Sequence, residues 1–131
     1  MPKPKWNILL VDDDVDFMVT IDVLLREIGN SYHLSWMAHD GITAEMSCSG
    51  QFDAVLLGYH SGDEINMGVL DRVRVICEDA PVIVLCWAAN REIKTECMAR
   101  GAAAFLLKDD LIASALNQAV RWVIAQHLGF E

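Results

Sequence analysis

Three apolar runs in this chain end at residues that decide what chemistry is open to it. Asp12 and Asp13 close the first run, Lys108 closes the last, and Gly58 closes one between them. Two neighbouring carboxylates can hold a divalent cation such as Mg²⁺, which takes oxygen ligands. An ammonium opposite them can neutralise the oxygens of a phosphoryl group. A third acid at position 58 would complete a pocket able to take up that group covalently, because a carboxylate can act as a nucleophile. Glycine has no side chain to react.

These residues can meet only if the apolar runs are parallel strands whose carboxyl ends lie side by side. Trp6–Val11 is nearly continuous in apolar residues, as in a strand buried on both faces. Asp12, Asp13 and Asp14 then supply carboxylates at the start of a helix, where free amides and the dipole favour them. Phe17, Ile21, Leu24, Leu25 and Ile28 follow at helical spacing, and Gly29 suits the stop. Residues 32–38 read as a second strand, 41–49 as a short helix and 52–57 as a third strand. After a polar loop comes a helix carrying Val69, Leu70, Val73, Ile76 and Cys77. Pro81 opens a fourth strand, Val82–Cys86, and Asn90 suits the cap of a helix with Ile93, Cys97 and Met98 facing inward. Gly101 ends that helix, and Ala104–Leu107 forms the last strand. A closing helix over 111–126 has Ile112, Ala115, Leu116, Ala119, Val120 and Val123 on its apolar face.

Five strands alternating with five helices predict an α/β, doubly wound parallel sheet, flavodoxin-like in its order 2-1-3-4-5, in one domain over residues 1–131. In such sheets the functional crevice lies beyond the carboxyl ends of the strands. Asp12, Asp13, Gly58, Cys86 and Lys108 all fall there.

Composition narrows the partners. A formal charge of −9 argues against nucleic acid, whose phosphates are held chiefly by Lys and Arg. It suits a basic protein surface, or simple solubility. The four cysteines show no Cys-x-x-Cys pair and no histidine at zinc spacing, so reduced thiols are expected. No apolar run approaches the roughly 20 residues that span a bilayer. Nor does a signal core precede Asp12, and a cytoplasmic protein is expected.

With those elements placed, the chain resembles a response-regulator receiver domain of two-component signalling over almost its whole length. The likeness rests on residues 8–14 (ILLVDDD), 52–58 (FDAVLLG), 81–86 (PVIVLC) and 101–108 (GAAAFLLK), in that order and at fitting spacing. The resemblance implies that Asp12 and Asp13 match the acids that help hold Mg²⁺, and that Lys108 matches the lysine of the phosphoryl pocket. It implies that Gly58 stands where an aspartate would take phosphoryl from a histidine kinase. Cys86 stands where a Ser or Thr would bond the phosphoryl group, Trp87 where the next residue is usually small, and Phe105 at the aromatic switch.

The departures share a direction. Gly58 offers no nucleophile, and the loss of one carboxylate weakens any Mg²⁺ site. Cys86 is a poorer hydrogen-bond partner than a hydroxyl, and Trp87 is large enough to fill the phosphoryl space. Asp12 and Asp13 facing Lys108 would form a nearly balanced group that stands without metal. The expected function is that of an atypical receiver, a pseudo-receiver, without enzymatic activity or a required cofactor. It would work through contact with a histidine kinase, an output domain or a second copy, with Trp87 beside Phe105 as the contact face.

Two rivals stand beside this reading. A phosphorelay receiver could use a substitute acceptor near the pocket, with Ser61, Asp63 and His60 as candidates. Asp53, at the opening of the third strand, should lie at the far end. A flavodoxin-like ligand binder is the other, but the acids at 12–14 occupy the place of a phosphate-binding glycine loop. Asp14 reads as a plain helix cap. His33, His39 and His127 have no convergent partners in the sequence, and Trp36 and Trp122 suit ordinary packing.

Overall fold

The computed structural model describes residues 6–29, 31–39, 50–59, 65–87 and 91–129, with the side chains of 65–67 excepted. The strands are β1 (Trp6–Val11), β2 (Tyr32–Met37), β3 (Ala54–Tyr59), β4 (Val82–Cys86) and β5 (Ala104–Leu107). The helices are α1 (Val15–Glu27), α2 (Ile65–Ile76), α3 (Arg91–Ala99) and α4 (Ala113–Leu128). All strand pairs are parallel and the sheet order is β2-β1-β3-β4-β5, as the sequence predicts. Among the described residues there are four α-helices; the fifth expected helix, over 41–49, and the cap at Asn90 lie outside them.

Strand alternation sorts the core into two layers. Leu9, Val11, Val55, Leu57, Val82, Val84 and Cys86 pack with Val69, Leu70 and Val73 of α2 and Cys97 of α3. Ile8, Leu10, Ala54, Leu56, Ile83 and Leu85 pack with Phe17, Ile21 and Leu25 of α1 and Leu116, Val120 and Val123 of α4. Side chains two residues apart share a face. Residues 12, 58 and 87 therefore continue the second layer, on the side of α1 and α4.

Asp14 starts α1. Its Oδ1 accepts from the amides of Asp16 at 2.9 Å and Phe17 at 3.3 Å, satisfying two donors that the first turn leaves free. Asp14→Ala is expected to cost about 1 kcal/mol, measured by urea unfolding. At the other end Gly29, with φ of 111°, takes the left-handed turn that lets the chain leave the helix.

Three expectations are corrected here. The third strand begins two residues later and runs through Gly58 to Tyr59; just before it, the Asp53 carboxylate accepts from the Asn7 amide at 2.7 Å. Ile112 is 61% exposed, since it precedes the first turn of α4 rather than lying on its inner face. Met98 is also exposed, whereas its neighbour Cys97 is buried.

Burial pushes the Cys97 thiol up from 9.0 to about 11, reinforced by Cys86 and Glu96 and opposed by Arg100. Between these values the unfolded chain releases a proton that the folded chain keeps, so stability falls as pH rises through the window. The urea midpoint is expected to drop between pH 9.0 and about 11 in the wild type, and to drop less in Cys97→Ala.

Candidate functional site

Register brings the site together. Val11 pairs with Leu57, Gly58 with Leu85, and Cys86 with Leu107. Asp12 therefore follows β1 level with Gly58, and Lys108 follows β5 at the same end of the sheet. The side chains of Asp12 and Lys108 are wholly buried, and Lys108 Nζ donates to Asp12 Oδ2 at 2.7 Å. Asp12 Oδ1 accepts from the Asp14 amide at 2.9 Å. From the flank, Trp36 Nε1 donates to the Asp12 carbonyl at 2.8 Å.

The Asp12 carboxylate lies where residue 58 would carry its first side-chain atom. A Cβ built on Gly58 would stand 1.8 Å from Asp12 Oδ2 and 2.4 Å from its Cγ. No side chain fits there while Asp12 keeps this position. The space above Gly58 is therefore filled by the neighbouring acid.

Two aromatic rings close the pair from above. Lys108 Nζ is 4.1 Å from the centroid of Phe17 and 5.2 Å from that of Trp87, both within the range of a cation over a π face. The two rings meet edge to face at 5.9 Å. Trp87 remains 46% exposed, so it covers the pair while presenting an apolar surface to solvent.

Asp13 does not face Lys108, as the sequence reading had it. Its Oδ1 accepts from the His39 amide at 2.7 Å, and its Oδ2 lies 3.3 Å from His39 Nδ1. The other ring nitrogen, Nε2, is 2.9 Å from the Gly58 carbonyl. Each ring nitrogen thus lies beside an oxygen, one on Asp13 and one on the backbone of Gly58. His39 is buried, and its partners are distant in sequence. Register was the available signal: Val11 pairs with Met37, so position 39 falls level with Asp13.

The expected Trp87–Phe105 face is also corrected. Trp87 meets Phe17 on the α1 side, whereas Phe105 packs against the layer under α2 and α3. Alternation requires this, since 105 falls on the opposite face from 104 and 106. Cys86 is fully buried in that same α2–α3 layer with Cys97. Asp53 lies at the opposite end of the sheet, bonded to Asn7 near the start of β1. His60, Ser61 and Asp63 lie outside the described residues. Among the described residues no group of three or more His, Cys, Asp or Glu side chains is placed to hold a metal ion, and no helix is long and apolar enough to cross a membrane.

No family model matches the chain. Over 108 residues it is 26% identical to the transcriptional regulatory protein ZraR of Salmonella typhimurium, a stretch covering 82% of this chain and 24% of that protein. It is 24% identical over 111 residues to the cell cycle transcriptional regulator CtrA of Caulobacter vibrioides, covering 82% of this chain and 47% of that one. The chain thus spans less than half the length of either relative. Among solved structures, the receiver domain of a sensor histidine kinase from Pseudomonas aeruginosa, with a magnesium ion in its active-site cleft, matches with a TM-score of 0.72. That match is at 22% identity and covers 92% of this chain and 98% of the other.

Proposed function

We propose that this chain, for which sequence and fold likenesses both support a response-regulator receiver domain, signals by protein contact and accepts no phosphoryl group at position 58. The observation that carries the reading is the overlap between the Asp12 carboxylate and the space above Gly58. A nucleophile is missing there, and the position it would need is taken. The acid left behind is neutralised by Lys108, so the crevice holds no net attraction for an incoming phosphoryl group beyond what that ammonium already spends on Asp12.

On this reading the domain is a binding module rather than an enzyme. Its partner is a histidine kinase, an output domain or a second copy of the chain. Half-exposed Trp87 supports a contact role, because aromatic side chains at the surface contribute strongly when a partner buries them. Its position over Phe17 and Lys108 ties that surface to the crevice, so a partner covering Trp87 would also seal the ion pair.

The test compares amide NMR spectra of the domain before and after addition of Mg²⁺ with beryllium fluoride, a phosphoryl mimic. Spectra that overlay apart from salt effects are expected. Shifts spreading from the ends of β1, β3 and β5 would show that the crevice takes the mimic, and the reading would be wrong.

A further inference from the structure

We infer that Lys108 takes the part of a divalent cation in this crevice, so that the domain carries a counter-ion in its own chain. This deepens the reading above and rests on the same crevice. Its test contains no phosphoryl donor, mimic or partner, so the two can fail separately.

Both carboxylates are already engaged at both oxygens. Asp12 is held by Lys108 Nζ at 2.7 Å and by the Asp14 amide at 2.9 Å. Asp13 is held by the His39 amide at 2.7 Å, with His39 Nδ1 3.3 Å from its second oxygen. Magnesium needs a near-octahedral set of oxygens at about 2.0–2.1 Å. Here position 58 supplies no carboxylate, and a metal at Asp12 would have to displace a buried ammonium or share an oxygen with it. These residues do not fit a magnesium ion; they fit each other. His39 lies between Asp13 and the Gly58 carbonyl, its Nε2 2.9 Å from that oxygen, and so bridges the acid to the strand that carries Gly58.

A purely space-filling role for Lys108 makes a different prediction from a counter-ion role. If the side chain only fills the core, its removal costs stability equally in every salt. If its charge stands in for a metal, removal should leave a crevice that a metal can repair. Two indoles report on the site: Trp87 lies over the ammonium and Trp36 donates to the Asp12 carbonyl.

The experiment titrates wild type and Lys108→Met with magnesium chloride to millimolar concentrations against sodium chloride of matched ionic strength. Indole emission and melting temperature are followed. The wild type is expected to give no saturable response. Lys108→Met is expected to gain a saturable emission change and to melt several degrees higher in magnesium than in sodium. A saturable response in the wild type, or a variant equally stable in both salts, overturns the inference. Should the single variant fail to fold in either salt, Asp12→Asn/Lys108→Met decides. A double variant that folds without added magnesium and ignores it upholds the counter-ion role; one as unstable as the single variant overturns it.

Discussion

Lys108→Met, in the absence of divalent cation, is expected to lose about 3–5 kcal/mol of stability, the usual cost of removing one partner from a buried ion pair. The cause is the carboxylate left behind. Asp12 is wholly buried, and without the ammonium 2.7 Å away it must be desolvated against a much weaker set of partners or take up a proton. The rings of Phe17 and Trp87 would also lose the cation they enclose. Set against a typical total of about 5–15 kcal/mol, this is a large fraction. Asp12→Asn/Lys108→Met should recover most of the loss, ending within about 1–2 kcal/mol of the wild type, because replacing both members of a buried pair is often neutral. Urea unfolding of the four species, read as a double-mutant cycle, measures both numbers. Equal losses in the single and double variants would mean that charge matching at this site contributes nothing.

The second large effect is expected at Gly58. A glycine-to-alanine change at a position with ordinary backbone angles normally stabilises by about 0.4–1 kcal/mol, through the unfolded state. Gly58 is not among the glycines with positive φ, so its backbone would accept alanine. The sign should nevertheless reverse. The added methyl would stand 1.8 Å from Asp12 Oδ2, and relief requires Asp12 to leave both Lys108 and the Asp14 amide. Overpacking of this kind costs about 1–3 kcal/mol. Gly58→Asp should cost more, since it sets a second carboxylate against the first, at about 4 kcal/mol for charges 4 Å apart in an effective dielectric near 20. The diagnostic comparison is Gly58→Ala in an Asp12→Ala/Lys108→Met background. There the obstructing carboxylate is gone, and the same alanine should become neutral or stabilising. A loss of equal size in both backgrounds would trace the effect to something other than Asp12.

Much of the fold was legible because its strands are buried on both faces and read as short apolar runs. β1, β4 and β5 have the bounds that their sequence predicts, and the sheet order follows from the alternation of strands and helices. The meeting of Asp12, Gly58 and Lys108 was legible for the same reason, since all three follow or close strands of one parallel sheet. What the residues do to one another was less so. The filling of the Gly58 space by Asp12 depends on both positions pointing to the same face, a consequence of register rather than of residue type. His39 was missed because its partners lie 26 and 19 positions away along the chain, at Asp13 and Gly58. Nothing local marks it. The family resemblance pairs Trp87 with Phe105, whereas strand alternation puts them on opposite faces. Hydrophobicity alone points Ile112 and Met98 inward, but it says little about a residue before a helix begins or at the edge of its apolar stripe.

The most direct measurement is the intact mass of the purified chain after incubation with acetyl phosphate and Mg²⁺. The mass of the unmodified chain is the expected result, in the wild type and in Trp87→Ala alike, because opening the aromatic cover still leaves no nucleophile at position 58. A stoichiometric gain of one phosphoryl group in the wild type would contradict the central claim, and mapping the modified residue would identify the acceptor.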